Sequence, residues 1–135
     1  MECRVTGTLL LDTHAVHWWT AEPERVSDPA ATAIEQAAEI AVAAITWYEL
    51  GWLAHHGRIS VAIPVRTWLA ELSKDVRTLP LTAIIAETAV ALPETFPGDP
   101  ADRMIFATAV EHGIRLVSKD RRLRAHRHPR PLVVW

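Results

Sequence analysis

Short unbroken apolar runs alternate along this chain with longer stretches in which apolar residues return every three or four positions. "TLLLD" (8–12) is the first run and reads as a buried strand ending in an acid. "THAVHWWTA" (13–21) has helical spacing, with Ala15, Trp18 and Trp19 on one side. "SDPAATAIEQAAE" (27–39) opens on Asp-Pro and continues in strong helix formers. "IAVAAI" (40–45) is a second buried strand. A helix follows from a Thr46 cap to Gly57, with Trp47, Leu50, Leu53 and Ala54 as its apolar contacts. "RISVAI" (58–63) is ambiguous, whereas "PVRTWLAELSKD" (64–75) is an amphipathic helix repeating Val65, Trp68, Leu69 and Leu72.

"VRTLPL" (76–81) reads as a short strand and "TAIIAETAVAL" (82–92) as an apolar helix. "GDPADRMIFATA" (98–109) begins a helix from about residue 100 to Gly113, a glycine placed to end it. "IRLVS" (114–118) is a strand, "DRRLRAH" (120–126) a last turn or two of helix, and "PLVVW" (131–135) a terminal strand. Strands alternating with helices throughout predict an α/β sandwich on a central, mostly parallel sheet. Without repeats, low-complexity tracts or a linker, residues 1–135 read as a single domain.

Composition narrows the function classes. Half the residues are hydrophobic and 22% are charged, as in ordinary globular proteins. No apolar stretch approaches the roughly 20 residues that span a bilayer, and the N-terminus lacks signal-peptide architecture. The single cysteine, Cys3, excludes an internal disulfide and a cysteine-rich zinc site. A cytoplasmic home is the expectation. The net charge of −2 does not advertise a polyanion ligand, yet Lys119, Arg121, Arg122, Arg124, Arg127 and Arg130 crowd the C-terminal region. They are either a solvated face or a phosphate-contacting patch. The six tryptophans are expected to be core or dimer-surface residues rather than platforms for nucleic-acid bases.

Carboxylates recur where strands end and helices begin. Asp12 ends the first strand, Glu49 lies in the first turn after the second, Asp99 and Asp102 open the late apolar helix, and Asp120 follows "LVS". Each has a structural reading: Asp12, Asp99 and Asp120 suit helix caps, Asp102 favours a helix dipole, and Thr46 with Glu49 spells a capping box. A second reading accommodates the first. Ligands of open α/β sheets bind beyond the carboxyl ends of the strands, where Asp12, Glu49 and Asp120, each just after a strand, are expected to converge. A self-repelling carboxylate cluster there makes sense with Mg²⁺ or Mn²⁺, which prefer oxygen ligands. Such an ion lowers the pKa of bound water and stabilises charge on a phosphodiester. The histidines fit no zinc pattern, and His14 is expected to be a partly buried polar residue.

"LLLDTHAVHWW", "ITWYELGWLAHHGRI", "LPLTAIIAETAVALPETFPGDPADRMIFATA", "IRLVSKDRRL" and "PLVVW" resemble, in this order, the motifs of PIN-domain proteins, and VapC-type toxins of bacterial toxin–antitoxin pairs most closely. The likeness covers nearly the whole chain from about Thr8. It implies a compact three-layer α/β/α fold and a metal-dependent ribonuclease. It also implies a homodimer inhibited by a cognate antitoxin. By the resemblance, Asp12, Glu49, Asp102 and Asp120 are the catalytic acids holding Mg²⁺ or Mn²⁺, with Asp99 adjoining. Ser118, Lys119, Arg103, Arg121 and Arg122 are expected to contact RNA. The chain departs from the pattern in lacking a longer basic residue in "WLAHH", in Ala101 and Pro97-Gly98, and in carrying its arginines after Asp120.

Two other classes stand beside this reading. A non-catalytic PIN-like binding module would keep the acids only as caps. A phosphatase of the haloacid-dehalogenase type also begins with a strand-end aspartate, but it wants a second aspartate where this chain has His14.

Overall fold

The computed structural model describes residues 6–126 and 132–135. Cys3, Arg127, His128 and Arg130 lie outside the described residues. The chain runs β1 (Thr6–Leu11), α1 (Thr13–Ala21), a 3-10 turn (Pro23–Arg25), α2 (Asp28–Gln36), β2 (Ala37–Ala43), α3 (Ala44–His55), α4 (Val65–Asp75) and β3 (Arg77–Leu79). It continues α5 (Ala83–Ala91), α6 (Pro100–His112), β4 (Leu116–Val117), α7 (Arg121–Ala125) and β5 (Val133–Val134).

The strands form one sheet in the order β3-β2-β1-β4-β5, and every described pairing is parallel. Side-chain alternation in β1 builds the layers. Leu9 and Leu11 join a core with Val16, Ala30, Ile34, Leu50 and Leu72, supplied by α1, α2, α3 and α4. Leu10, on the opposite face, joins Phe96, Ile105, Phe106 and Leu123, brought by α6, α7 and the loop before α6. Helix α5 packs outside α6 through Ile85, Ala89 and Ala107. A strand apolar on both faces requires helices on both sides, which is why "LLL" is unbroken rather than alternating.

Two boundaries differ from expectation for one reason. β2 begins and ends earlier than 40–45, and α3 starts at Ala44. Its N-cap is Ala43, without a side-chain cap hydrogen bond. Thr46 is therefore inside the helix and fully buried, and the Thr46–Glu49 capping box does not form. Pairing with β1 at Thr6–Ala37 pulls the start of β2 back into residues of good helix propensity. The ambiguous residues 58–63 form bends without helix or strand. Gly113 ends α6 in the left-handed region at φ 63°, as its position predicts.

The chain leaves β1 toward β2 and β3, then returns to the other side of β1 for β4 and β5. Beyond the β1 and β4 carboxyl ends the order reverses, opening a crevice. The Asp12 amide donates to the Val117 carbonyl at 3.1 Å, which sets the two strand ends side by side.

Candidate active site

Asp12 caps α1, accepting from the Ala15 amide at 2.9 Å. Burial pushes its carboxyl above the usual range, opposed by hydrogen bonds from Ser118 and Ala15. Ser118 is fully buried, and its hydroxyl also accepts from the Asp120 amide at 3.1 Å. It thus ties two acids together from beneath, and it does not line the cleft as an RNA contact would.

Glu49 projects from the first turns of α3 and is held by the Thr13 hydroxyl, which donates to it. Thr13 also shares a 3.3 Å hydrogen bond with the buried Thr46 hydroxyl. Burial raises the Glu49 carboxyl, the Thr13 bond lowers it, and the charge of Asp99 raises it again. Neither threonine is marked as functional by the sequence. Their roles come from the contact of α1 with α3, 33 positions apart.

At the start of α6, Asp99 is the cap, accepting from the amides of Ala101 at 2.8 Å and Asp102 at 3.4 Å. Asp102, one turn in, faces the other acids. Its pKa is raised to about 7, first by burial and then by the charges of Asp99, Glu49, Asp120 and Asp12. Asp120 caps the short α7 and is held below the usual carboxylate range, chiefly by hydrogen bonds from Arg122. Arg122 donates to Asp120 at 2.9 Å and stands 3.8 Å from Asp102.

These acids line a single cleft of about 750 Å³ together with Thr13, His14, Trp18, Tyr48, Trp52 and Leu53. Ile105, Lys119 and Arg122 complete it. Lys119 lies 5.5 Å over the Trp18 ring. His14, expected to be partly buried, is exposed on the cleft wall, and His17 is the buried one. Arg121 is exposed and outside the cleft lining. Arg103 is turned away altogether. Its guanidinium donates to the carbonyls of Pro97, Ala89, Leu92, Pro93 and Phe96. It pins the α5–α6 connection, so its expected contact with RNA is withdrawn. Among the described residues, no three acidic, imidazole or thiol groups are positioned as they stand to close on one metal ion.

Residues 9–129 match the PIN domain family. The chain belongs to the PIN-domain family. This PIN domain is 63% identical over 128 residues to Ribonuclease VapC22 of Mycobacterium tuberculosis, covering 95% of this chain and 98% of that one. It superposes on a chain of a toxin–antitoxin complex from Klebsiella pneumoniae with a TM-score of 0.61 at 24% identity, covering 83% of this chain and 86% of that one. It also matches a chain of VapBC2 from Rickettsia felis, solved bound to a promoter DNA fragment, at TM-score 0.63 and 14% identity. That match covers 86% of this PIN domain and 90% of the other chain, and at such identity it supports the fold alone.

Proposed function

We propose that this PIN domain is a metal-dependent endoribonuclease, the toxin of a toxin–antitoxin pair. The relative Ribonuclease VapC22, matched over nearly the full length of both chains, supports the reaction class. The observation that carries the site is the gathering of Asp12, Glu49, Asp99, Asp102 and Asp120 around one cleft, where burial and the other four charges push the Asp102 carboxyl up. Such a cluster is poorly compensated by Arg122 alone, and an all-oxygen donor set of this kind suits a hard divalent cation. Asp12, Glu49, Asp102 and Asp120 would hold Mg²⁺ or Mn²⁺, with Asp99 adjoining. The ion would supply Lewis-acid activation of water and charge stabilisation at the phosphodiester.

The protein's own groups do the rest. Ser118 fixes Asp12 relative to Asp120, and Thr13 sets the direction of the Glu49 carboxylate. Lys119 and Arg122, on the rim, attract and seat the phosphates of RNA. The antitoxin is proposed to insert a basic side chain among the acids, meeting the same charge excess. A chain of this fold is found in the Klebsiella pneumoniae toxin–antitoxin complex, which supports a protein partner of that kind. A homodimer acting in the cytoplasm completes the reading, and no helix among the described residues is long and apolar enough to cross a membrane.

The test is cleavage of mixed cellular RNA by purified protein with Mg²⁺ or Mn²⁺, with chelator, and with Asp12→Asn or Asp102→Asn. Discrete fragments lost on chelation and in both variants are the expected result. Cleavage that persists with chelator would overturn metal dependence. No cleavage, combined with no thermal stabilisation by Mn²⁺, would favour the binding-module reading.

A further inference from the structure

Lys119 sits among carboxylates and pairs with none of them. It lies between Asp120 and Ser118, the serine that ties Asp12 to Asp120, and it lines the cleft with all five acids. Yet its ammonium is within ion-pair distance of no carboxylate among the described residues. It stands instead over the Trp18 ring, 5.5 Å from its centre. Trp18, one turn after His14 on α1, is only 9% exposed, and its neighbours fix its orientation. The Trp135 ring packs against it at 5.8 Å and the His14 ring at 5.6 Å, both tilted. The 3-10 turn after α1 brings the Arg25 guanidinium to 4.5 Å from the ring centre, and Glu22 pairs with that guanidinium at 3.7 Å.

We infer that Trp18 is a positioning residue: its ring holds the Lys119 ammonium away from the carboxylates, which leaves the acids free to take a divalent cation. The inference rests on the metal-dependent reading of the cleft and adds to it a residue that acts through Lys119. A lysine is a point charge on a flexible four-carbon stem and goes to whichever partner holds it best. Exposed ion pairs and exposed cation–π contacts are of the same order, because water and side-chain entropy discount the attraction of the pair. Trp18 is already ordered by its neighbours, so only the lysine loses freedom when the two meet. Asp120, next in the chain, is taken by Arg122 at 2.9 Å. Without the ring, the ammonium is drawn to Asp12, Glu49 and Asp99, which have no arginine or lysine within ion-pair distance among the described residues. An ammonium seated there competes with Mg²⁺ or Mn²⁺ for the same oxygens. Held on Trp18, it stays on the rim, where a phosphate can meet it.

The chain has two lysines, Lys74 and Lys119, so NMR can follow each one separately. In metal-free protein the ring current of Trp18 is expected to move the Lys119 ε-methylene protons upfield of those of Lys74, which pairs with Glu71 in solvent. In Trp18→Leu that difference is expected to vanish. Isothermal titration with Mn²⁺ reads the consequence. Trp18→Leu is expected to weaken Mn²⁺ binding about 2- to 5-fold, the factor to which an exposed cation–π contact corresponds. In a Lys119→Gln background the same substitution is expected to leave Mn²⁺ affinity unchanged, a rescue that lost packing would not give. Equal weakening in both backgrounds overturns the proposal, and so does a Lys119 signal that coincides with that of Lys74 in unaltered protein. Should Trp18→Leu fail to fold, Trp18→Phe, whose ring attracts a cation less strongly, carries the same comparison. A shifted Lys119 signal in a protein that binds no Mn²⁺ would sustain the hold of Trp18 on Lys119 and overturn the metal-dependent reading.

Discussion

Arg122 and Asp102, on different helices, meet across the cleft with 3.8 Å between guanidinium nitrogen and carboxylate oxygen. The same guanidinium holds Asp120 at 2.9 Å, so one cation at the start of α7 serves two acids. It is the only arginine or lysine that the described residues bring into ion-pair distance of these acids.

Replacing Arg122 by Gln removes that internal counter-charge. The metal-free variant is expected to melt lower than wild type at neutral pH, and its melting temperature is expected to rise more on addition of Mn²⁺. Differential scanning fluorimetry with and without the ion checks both. Equal Mn²⁺ shifts in the two proteins would show that Arg122 does not compensate the cluster.

Asp102 makes stability depend on pH with a definite sign. Its carboxyl ionises near the ordinary 3.8 in the unfolded chain and at about 7 in the fold. Between those values the folded state keeps a proton that the unfolded state has lost, so this contribution falls as pH rises toward 7. Asp102→Asn removes the effect. Without metal, the variant is expected to melt above wild type at pH 8, with the gap closing toward pH 4. A constant gap across that range would count against the raised pKa.

Thr13→Val keeps the shape of the side chain and deletes the hydroxyl that donates to Glu49. Outer hydrogen-bond partners of metal-binding carboxylates typically contribute about 10- to 100-fold in affinity or activity. Cleavage per folded molecule is expected to fall by that order, and the melting temperature to drop modestly as well, because the buried Thr46 hydroxyl loses its partner. Full activity would mean that Glu49 needs no orientation.

Arg103→Ala is expected to act on stability instead. Five carbonyls lose a charged donor, a loss of about 2–4 kcal/mol in a chemical-denaturation curve. Lys in its place cannot reproduce the planar fork and is expected to recover little. Cleavage per folded molecule should stay at the wild-type level, and a selective loss of activity would return Arg103 to the site.

By itself, the sequence determined the alternation of strands and helices, the doubly buried strand "LLL", the caps Asp12, Asp99 and Asp120, and the Gly113 terminus. These are local matters, settled by the period of apolar residues and by which side chains satisfy free amides near a helix start. The capping reading of those three acids is true, and it does not compete with their place in the cleft. Tertiary structure decided the rest. Register against β1 moved the start of α3 and turned Thr46 from a cap into a buried partner of Thr13. Whether Arg103 faces RNA or five carbonyls depended on where the loop before α6 folded back. So did the gathering of Asp12, Glu49, Asp99, Asp102 and Asp120 around one space: the parallel sheet sets the ends of β1 and β4 side by side, and the packing of α3 against α6 brings Glu49, Asp99 and Asp102 to the same place.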